Sequence, residues 1–508
     1  MASKFYITTP IYYVNAPPHI GHSYTNIAAD TLARYNRQIL GKENVRFLTG
    51  TDEHGQKIKK AADEAKVSVL EFVDKVVVQF KDLWSKLEIS NDDFIRTTQD
   101  RHIKTVRQAL KIVYEKGDIY EDKYEGWYCT PCETFWPKTQ ITDHLCPDCH
   151  RGLEKISETN FFFKLSKYQD WLIKYIKDTD KNPERIYYIQ PASRRNEVLG
   201  FLENNKLEDL CISRPVERLS WGIPLPFSSK HVTYVWFDAL INYISAVGEF
   251  DAQNIYRSTW WDKDVKVVHL VGKDILRHHA VYWPIMLEAL GIRQPDTIFA
   301  HGWWMIDQDK MSKSRGNVVN PVEMADKFGI DVYRYFLLRD VPFGLDGNFS
   351  EASIVKRFNG DLANDLGNLV YRTLTMIEKY YQGVVPDRNN LELDKQGLNI
   401  EESIKAMPEE VNSILTSSNF SLALERIWDS INMANKYVEE TKPWNLAKDN
   451  KTNELKAFIR LLVDVIRAVS VQLYPFMPKT AKSIILQLGE KEIKKGEPLF
   501  PRIETKKK

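Results

Sequence analysis

The hydrophobic positions in the first hundred residues follow two spacings, one typical of buried strands and one typical of amphipathic helices. Continuous apolar and aromatic runs at residues 5–13 and 45–49 predict strands of a parallel sheet. Apolar side chains that recur every three or four residues predict two helices, one on Ile27, Ala28, Leu32, Tyr35 and Ile39 and one on Leu70, Val73, Val77, Phe80, Trp84 and Leu87. This alternation indicates the first half of an α/β fold.

The pattern changes further along the chain. Glycines, prolines, paired cysteines and aromatic clusters interrupt it, and the apolar run at 266–272 then resumes the alternation, followed by a helix at 275–290. Beyond residue 350 the spacing is helical, with its clearest stripe on Leu455, Ile459, Leu462, Ile466, Val469 and Leu473. We therefore predict α/β halves at 1–115 and 229–297, an insertion at 116–228, a mixed region at 298–350 and a helical bundle at 351–508.

Composition limits the classes of protein that fit this pattern. The 508 residues are 43% hydrophobic and 12% aromatic, which suits a globular protein of several domains. Lys and Arg number 70 against 69 Asp and Glu, so no global field attracts nucleic acid and any RNA contact must be local. The first residues pass directly into a predicted strand, and no apolar run has membrane-spanning length. We expect a soluble, cytoplasmic protein.

Four of the five cysteines form two pairs with metal-ligand spacing. The pairs are separated by thirteen residues and consist of Cys129 with Cys132 and Cys146 with Cys149. Four thiolates close a tetrahedron without an open position, which predicts one structural Zn²⁺ per chain. Disulfides or free thiols are the alternative, and His144 and His150 are further possible ligands. The fifth cysteine, Cys211, is expected to be a small buried residue.

The string His19-Ile20-Gly21-His22 lies where the first predicted strand gives way to the first predicted helix. A helix start presents unpaired N–H groups and a positive dipole end to an anion, and imidazoles placed there add hydrogen bonds to phosphate oxygens. Gly21 allows a nucleotide to approach closely because it lacks a side chain. The alternative is that both histidines are ordinary cap or core residues.

A second string, Lys310-Met311-Ser312-Lys313-Ser314, brings two ammonium groups into one cationic segment. When a carboxylate attacks the α-phosphate of ATP, the leaving pyrophosphate gains negative charge, and cations placed beside it lower the barrier. Lysine suits this role as a movable point charge. The alternative is a solvated loop. Together, the two strings predict the split ATP site of a nucleotidyl-transferring enzyme.

The form and order of these strings resemble the signatures of class I aminoacyl-tRNA synthetases. Residues 9–15, 50–55 and 234–239 are similar to segments of the methionyl-tRNA synthetase family, and the similarity runs from end to end. It implies a Rossmann-type parallel-sheet catalytic domain with a zinc-knuckle insertion, a stem-contact region at 298–350, and an α-helical anticodon-binding bundle. The implied reaction forms methionyl-adenylate from methionine and ATP, then transfers methionyl to tRNA for initiation and elongation of translation, releasing AMP.

The resemblance also assigns a methionine pocket. Asp52 falls where the family holds the amino group, and the side-chain pocket falls on Ile11, Tyr13, Trp236, Ala239, Leu240, Tyr243, Ile275, His279 and Trp283. Leu240 departs from the pattern, since some relatives carry proline there. From the residues alone, Ile275, His279 and Trp283 are also consistent with a core stripe on one helix face. Asp52 is likewise consistent with a helix cap.

The ATP and tRNA residues follow from the same resemblance. His19, Gly21 and His22 hold the triphosphate, Lys310 and Lys313 neutralise pyrophosphate, and Gly272, Lys273 and Asp274 meet the adenosine, with Mg²⁺ accompanying ATP. Arg214 supports activation, although an arginine before proline also suits a surface. Asn368, Arg372 and Trp444 match positions used on the anticodon, where loop bases stack on aromatic planes. Their alternative is a solvated helix face.

The partners implied are L-methionine and both initiator and elongator tRNA-Met, with no DNA or membrane. Some relatives continue past the helical bundle into a dimerising RNA-binding domain. The present sequence stops at Lys508 without one, so we expect a monomer. Three rival functions remain open. They are a synthetase of this class for another amino acid, a small-molecule nucleotidylyltransferase, and a zinc-stabilised RNA-binding protein without catalysis. The insertion is too short for the hydrolytic domain of the isoleucine, valine and leucine enzymes.

Overall fold

The computed structural model describes residues 2–129, 134–136, 141, 143–147, 150–181, 188–234, 236–306, 309–310, 319–388 and 391–504. The chain forms two compact units. The first comprises Met1–Pro18 and Asn36–His301, and the second comprises His19–Tyr35 and Gly302–Lys508. The described part of the chain contains no helix that is both long and apolar enough to cross a membrane.

The first unit is built on a parallel sheet. Its described strands are β1 (Lys4–Tyr13), β2 (Val45–Asp52), β3 (Asp93–Arg96), β4 (Ile119–Cys129), β5 (Thr134–Trp136), β6 (Glu154–Phe163), β7 (Ile189–Gln190), β8 (Leu210–Cys211), β9 (Ser213–Pro215), β10 (His231–Thr233), β11 (Gly248–Phe250), β12 (Tyr256–Ser258), β13 (Val265–Gly272) and β14 (Thr297–His301). Six of these form the central sheet in the order β3-β2-β1-β13-β14-β7, and every neighbouring pair is parallel. The predicted parallel sheet is therefore confirmed.

Helices cover this sheet, which explains why β1 and β13 are buried almost throughout. The helices of the first unit are α2 (Gln56–Glu64), α3 (Val69–Lys86), α4 (Asp100–Glu115), α5 (Gln169–Asp180), α6 (Ala192–Asn204), α7 (Trp236–Leu240), α8 (Asn242–Ser245) and α9 (Trp283–Leu290). Helix α1 (Ile20–Leu40) has only its last residues, from Asn36, in this unit. Local sequence sets several ends. Ser68 caps α3 by accepting a hydrogen bond from the Glu71 N–H, and Gly291 ends α9 with φ of 70°.

The segment predicted as an insertion contains a four-stranded sheet in the order β5-β4-β6-β8. Strands β4 and β6 pair antiparallel from Ile119 opposite Phe163 to Tyr128 opposite Glu154. The aromatic run at 160–163 lies in β6 and is largely buried. Strand β7 also falls within 116–228, yet it pairs with β14 in the central sheet. Two residues are too few to produce a periodic pattern, so the sequence did not indicate this return to the sheet.

The second unit is mostly helical. Its elements after α1 are β15 (Trp304–Ile306), β16 (Asp309–Lys310), α10 (Pro321–Phe328), α11 (Ile330–Arg339), β17 (Gly347–Asn348), α12 (Glu351–Arg357), α13 (Asn368–Tyr381), α14 (Lys395–Thr416), α15 (Phe420–Thr441), α16 (Pro443–Lys448), α17 (Thr452–Leu473) and α18 (Pro478–Leu488). Helix α14 packs on α15 and α17, and α17 packs on α18. The predicted helical second half is confirmed, and the stripe on α17 is buried.

A buried ion pair ties α1 to the rest of the second unit. The Asp30 carboxylate lies 2.7 Å from the guanidinium groups of both Arg34 and Arg334, and Asp30 and Arg334 are fully buried. Arg334 also donates hydrogen bonds to the carbonyl oxygens of Pro475 and Phe476, at 3.0 and 2.9 Å. The helix that begins at the first signature string is thereby anchored to the turn between α17 and α18.

Candidate active site

The carboxyl ends of four parallel strands bring the predicted site residues of the first unit together. Strand β1 ends at Tyr13, β2 at Asp52, β13 at Gly272 and β14 at His301. The chain leaves β1 towards β2 on one side, and β13 pairs with β1 on the other. In an open parallel sheet this switch point is where ligands bind, at the carboxyl ends of the strands. Of the predicted adenosine residues, Gly272 ends β13, and Lys273 and Asp274 directly follow it.

The first signature string has a hydrogen-bond pattern that orients both imidazoles. The backbone N–H of His19 donates to Nδ1 of His22 at 3.0 Å, and the N–H of Gly21 donates to Nδ1 of His19 at 3.1 Å. Because each Nδ1 accepts a hydrogen bond, the ring proton of each neutral histidine lies on Nε2. The two rings lie 3.9 Å apart between centroids. Both histidines therefore carry an Nε2–H donor suited to a phosphate oxygen.

Gly21 leaves room for this arrangement. A Cβ atom at this position would lie 3.0 Å from Cε1 and 3.2 Å from Nδ1 of His19. The His19 ring folds over the first turn of α1, so a side chain at position 21 would press on it. The structure thus gives a steric reason for the glycine in addition to the close approach of a ligand.

The second signature string is only partly within the described residues. Lys310 ends β16, which pairs antiparallel with β15 through Met305. Tyr24 of α1 packs edge-on against Trp304 of β15, with ring centroids 5.8 Å apart. Helix α1 and the strand that leads into the second string therefore share one packed region of the second unit. Lys313 lies outside the described residues.

The residues predicted for the methionine side chain are mostly buried in the first unit. Ala239, Leu240, Tyr243, His279 and Trp283 are buried, while Ile11, Tyr13, Trp236 and Ile275 are half-buried. Ile11, Trp236 and Ile275 pack against the core that contains Leu240, Tyr243 and Trp283. Such a mixture of fully and partly buried apolar and aromatic side chains is consistent with a pocket wall.

Hydrogen bonds set the tautomer of His279. Its Nδ1 lies 2.9 Å from the Ile275 carbonyl oxygen, which can only accept, so Nδ1 carries the proton. Its Nε2 then accepts a hydrogen bond from the Tyr243 hydroxyl at 2.7 Å. Burial lowers the pKa of His279 to about 4, so the ring is neutral near pH 7. The Tyr243–His279 pair therefore adds no net charge to this region.

The predicted single helix at 275–290 was wrong in detail. A 3₁₀ turn at Lys273–Ile275 and a π-helical turn at His278–Tyr282 precede α9. Ile275, His279 and Trp283 consequently do not form a stripe on one α-helical face. Helical spacing in sequence cannot reveal the extra residue of a π turn, and such turns occur often at functional sites.

Two further histidines belong with the pocket residues and were missed from sequence. His278 stacks on Trp236 with ring centroids 3.5 Å apart, and its buried Nδ1 has no hydrogen-bond partner among the described residues. His269 is buried, lies 2.7 Å from the Thr8 hydroxyl through Nδ1, and accepts from the Trp283 indole at 3.2 Å. Burial lowers the pKa of both histidines well below the usual range. The adjacent histidines at 278 and 279 were a sequence feature that could have pointed to His278.

Asp52 is the last residue of β2 and is 8% exposed. The alternative role as a helix cap was wrong, because the residue that precedes α2 is Gly55. The Asp52 backbone carbonyl accepts a hydrogen bond from the Val14 N–H at 3.3 Å. Asp52 therefore lies at the strand end where the switch point places a ligand.

Arg214 is 2% exposed, so the alternative of a surface arginine was wrong. Its guanidinium lies 3.6 Å from the centroid of the Tyr234 ring and 5.3 Å from that of Tyr128. It also donates hydrogen bonds to the Cys211 sulfur at 3.1 Å and to the Ser213 carbonyl at 2.7 Å. Cys211 is thus a hydrogen-bonded, half-buried thiol rather than a simple apolar residue, and burial raises its pKa.

Two of the four predicted metal-binding cysteines are described. Cys129 ends β4, and the Cys146 carbonyl oxygen accepts a hydrogen bond from the His150 N–H at 2.8 Å. Both cysteines are fully buried. Cys132 and Cys149 lie outside the described residues, and within those described no cluster of three or more potential ligands occurs. The two buried thiols, one from each cysteine pair, are of the ligand type that a tetrahedral zinc site uses.

The predicted tRNA residues lie in the second unit. Asn368 begins α13 and is exposed, Arg372 lies one turn further on and is half-buried, and Trp444 on α16 is 50% exposed. A π-helical segment, Phe358–Gly367, leads directly into Asn368. An exposed tryptophan and an exposed amide are chemically suited to stacking and base-edge contacts.

The pKa of His279 predicts an acid-sensitive stability. Burial holds the folded pKa at about 4 against an ordinary value of 6.5, so only the unfolded chain binds this proton between those values. The contribution of His279 to the free energy of unfolding is therefore fully present above pH 6.5 and is lost as the pH is lowered towards 4, by about 3 kcal/mol in all. When the pH is lowered from neutral to about 5, we expect the free energy of unfolding of His279→Gln to fall by about 2 kcal/mol less than that of the wild type. Denaturant unfolding followed by tryptophan fluorescence measures this difference, and equal losses would contradict it.

The chain is similar to known sequence families and to known proteins. The sequence family described as tRNA synthetases class I (M) matches residues 5–157 and 152–374, and the anticodon binding domain of methionyl tRNA ligase matches residues 392–500. A methionine–tRNA ligase of Caldanaerobacter subterraneus subsp. tengcongensis is 47% identical, covering 100% of this chain and 80% of that protein. One of Clostridium tetani is 48% identical, covering 99% of this chain and 79% of that protein.

A solved structure is also similar. Mycobacterium tuberculosis methionyl-tRNA synthetase in complex with methionyl-adenylate matches with a TM-score of 0.90 and 36% identity, covering 98% of this chain and 100% of that chain. The parallel sheet, the two signature strings and these matches define a class I aminoacyl-tRNA synthetase. Within that class, the chain belongs to the methionine–tRNA ligase family. It is therefore an enzyme that uses ATP.

Proposed function

We propose that the chain activates L-methionine with ATP and then transfers methionyl to the 3′ end of tRNA-Met, through the residues assigned below. The observation that carries this proposal is the pair of Nε2–H donors that His19 and His22 present at the start of α1. The reaction needs no covalent nucleophile on the protein. Positioning of the reactants and stabilisation of developing charge are sufficient.

In the activation step, the methionine carboxylate attacks the α-phosphate and pyrophosphate leaves. His19 and His22 donate to phosphate oxygens, while Lys310 and Lys313 neutralise the charge that grows on pyrophosphate. Residues 272–274 meet the adenosine at the end of β13. When bound with ATP, Mg²⁺ would neutralise part of the phosphate charge. Methionyl-adenylate is the product of this step.

Methionine itself is recognised by charge at one end and by apolar contact at the other. Asp52 pairs with the α-ammonium group, and the buried aromatic side chains contact the thioether, whose sulfur interacts favourably with rings. A neutral His279 suits this pocket because an imidazolium would need a counter-charge there. Apolar contacts limit discrimination against amino acids one methylene different to roughly 10–200-fold.

Arg214 is proposed to support activation from a fixed position. Stacking over Tyr234 and the hydrogen bond to the Ser213 carbonyl hold the guanidinium in one orientation. A cation that is already oriented loses little freedom when it acts on a developing negative charge. The sequence left two alternatives for Arg214, a role in activation and a position on the surface. Its fixed, buried guanidinium supports the role in activation.

The tRNA is read by the helical part of the second unit. Asn368 and Arg372 lie one turn apart on α13 and offer amide and guanidinium groups to base edges. Trp444 offers a half-exposed ring for stacking on an anticodon base. We propose that initiator and elongator tRNA-Met are both substrates because they share the anticodon.

Trp444→Ala is expected to lower kcat/KM for tRNA by roughly 5–150-fold, since stacking on an aromatic ring contributes about 1–3 kcal/mol per base. Methionine-dependent ATP–pyrophosphate exchange should stay unchanged, because it does not use tRNA. Charging and exchange assays on the same preparation measure the two effects. Leu422→Ala, on another bundle helix and 44% exposed, is the matched control for loss of an exposed apolar side chain. Equal losses in charging and exchange would contradict the anticodon assignment.

A structural Zn²⁺ is proposed for the insertion, held by Cys129, Cys132, Cys146 and Cys149. The burial of Cys129 and Cys146 supports it, together with the hydrogen bond from the His150 N–H to the Cys146 carbonyl. A closed tetrahedron of thiolates supplies folding energy and leaves no position for a reactive water. Its chemistry is therefore structural and not catalytic.

Cys146→Ser is expected to reduce bound zinc from one equivalent per chain to almost none, because three thiolates hold the metal far less tightly. Elemental analysis of the purified protein measures the stoichiometry. Cys211→Ser is the control and should keep its zinc. Full zinc content in the Cys146 variant would contradict the proposed ligand set.

The test of the whole reaction is charging of tRNA. With labelled methionine, ATP, Mg²⁺ and tRNA, we expect labelled tRNA and one AMP for each methionyl group transferred. Repeated turnover of ATP without tRNA, beyond the single adenylate that each enzyme molecule can hold, would favour a small-molecule nucleotidylyltransferase. Binding of RNA without any ATP turnover would favour the non-catalytic RNA-binding alternative. The cytoplasmic location and the monomeric state stay predictions.

A further inference from the structure

A buried carboxylate lies at the centre of a network in the first unit. Asp238 is fully buried, and its two oxygens each contact one imidazole, Nδ1 of His54 at 2.7 Å and Nε2 of His102 at 2.8 Å. His102 is also fully buried and His54 is 6% exposed. Three titratable side chains thus share a site from which water is almost excluded. We call them the Asp238 network.

Each member of the Asp238 network leads to an element that carries part of the proposed methionine pocket. His54 follows Asp52 by two residues. Asp238 itself lies in α7, between Trp236 and Ala239. The other ring nitrogen of His102, Nδ1, lies 2.8 Å from the hydroxyl of Ser245, at the end of α8. Tyr243 is in that same short helix. One carboxylate therefore connects the segment after β2 with the adjoining short helices α7 and α8, which are far from it in sequence.

The segment that carries Asp52 is also held from its other side. The backbone carbonyl of Glu53 accepts a hydrogen bond from the Trp221 indole at 2.6 Å. The buried Glu53 carboxylate receives two hydrogen bonds from Arg96, at 2.7 and 3.0 Å. The residue directly after Asp52 is therefore fixed by both its backbone and its side chain. With His54 bound to Asp238, the two residues that directly follow Asp52 are both held in place.

The carboxylate of Asp238 stays negatively charged. Burial alone would raise the pKa of Asp238, but hydrogen bonds and favourable charge interactions with His54 and His102 lower it to about 2. A desolvated carboxylate gains little net stability from such pairs because the cost of burial offsets the attraction. What the network provides is geometry, since a carboxylate accepts from both imidazoles at once in a fixed arrangement.

We propose that Asp238 is a positioning residue for methionine, holding the Asp52 segment through His54 and the Tyr243 helix through His102. This inference rests on the proposed methionine pocket. Asp238 does not touch the reacting atoms, so its loss acts on the binding of methionine more than on the binding of ATP. A displacement of about 1 Å in such a site is enough to lower activity strongly.

Asp238→Asn tests this inference with almost no change in volume. The amide has one acceptor oxygen, and its NH₂ group faces an imidazole N–H that previously had an acceptor. One histidine must therefore rotate or shift its proton, and the segment attached to it moves. We expect KM for methionine in ATP–pyrophosphate exchange to rise about tenfold or more, with KM for ATP unchanged within about twofold.

The matched control is Asp118→Asn. Asp118 is 2% exposed and also accepts two hydrogen bonds, from Lys167 and Tyr168, both at 2.6 Å. No proposed pocket residue adjoins it in sequence. We expect both KM values of this variant to match the wild type. A general cost of removing a buried charge would appear in both variants, whereas a positioning role appears only in Asp238→Asn.

His54→Ala provides a second test in case Asp238→Asn does not fold. This change removes only the link to the Asp52 segment, and it too should raise KM for methionine selectively. His54→Gln restores a donor to Asp238 and should recover part of the loss. Circular dichroism confirms that each variant is folded. A folded variant with unchanged KM for methionine, or with both KM values raised equally, would overturn the inference. Absence of methionine-dependent exchange in the wild type would instead overturn the proposed function.

Discussion

Replacing both His19 and His22 with asparagine is expected to lower the rate of methionine-dependent ATP–pyrophosphate exchange by roughly 10³-fold or more. Removal of one donor that stabilises developing charge typically costs about 10²–10³-fold. In each histidine, Nδ1 accepts a hydrogen bond from a backbone N–H, so the proton of the neutral ring lies on Nε2, which we propose donates to phosphate. Asparagine keeps an acceptor near Nδ1 and removes the Nε2–H donor. The expected loss is therefore in catalysis and not in the fold of the helix start.

Glutamine at the same two positions gives a matched contrast. Its amide nitrogen reaches the region of Nε2 and restores a donor, while the acceptor for the backbone N–H is lost. We expect the glutamine variant to retain more exchange activity than the asparagine variant. Steady-state exchange at saturating methionine compares the two. An asparagine variant within tenfold of the wild type, or a glutamine variant that is equally impaired, would contradict the assigned tautomers.

Asp30→Asn is expected to destabilise the second unit by about 3–5 kcal/mol, because it removes the counter-charge of a buried arginine. Arg334 is fully buried, and it also donates hydrogen bonds to two neutral carbonyl oxygens. The variant leaves the guanidinium charge without compensation in a region that excludes water. Denaturant unfolding, with the midpoint and slope measured together, gives the free-energy difference.

Glu425→Gln is the control for this prediction. Glu425 pairs with Arg339 at 2.8 Å in the same unit but is 48% exposed. Exposed ion pairs contribute about 0–1 kcal/mol, so this variant should stay within about 1 kcal/mol of the wild type. If Asp30→Asn were also within that range, the anchoring of α1 by the ion pair would be wrong. Comparison of the two variants shows whether the loss of stability comes from the burial of the ion pair or from the removal of a charge in general.

Much of the framework was predictable because it depends on local pattern. The apolar runs that became β1 and β13 are continuous since both faces of the sheet are covered. The stripe on α17 has helical spacing because one side of that helix faces the bundle core. A long element that packs against its neighbours has a regular spacing of apolar residues in its sequence. The two-residue strand β7 left none.

The details that form the site were less accessible. The π turn at 278–282 inserts one residue into a helix, and hydrophobic spacing does not register it. Asp238 lies within a segment that was singled out, yet its burial between His54 and His102 depends on tertiary contacts across the unit. A buried charge resembles a surface charge in sequence. Only the paired partners, brought together by the fold, distinguish them.

The signature histidines show the opposite case. His19 and His22 were identified because strand, turn and helix follow one another in sequence, and a helix start has known anion-binding chemistry. The structure adds the tautomers, which depend on local backbone hydrogen bonds. The roles of the methionine, ATP and tRNA residues stay predictions. Resemblance assigns these roles, and geometry makes most of them chemically reasonable.

The proposed site assignments all depend on the activation of methionine by this chain. ATP–pyrophosphate exchange, measured on the purified protein with Mg²⁺ and each of the twenty amino acids in turn, detects this activity. We expect exchange with methionine and little with any other amino acid, and no requirement for tRNA. Exchange with a different amino acid would contradict the pocket assignment. Absence of exchange with all twenty would contradict catalysis itself.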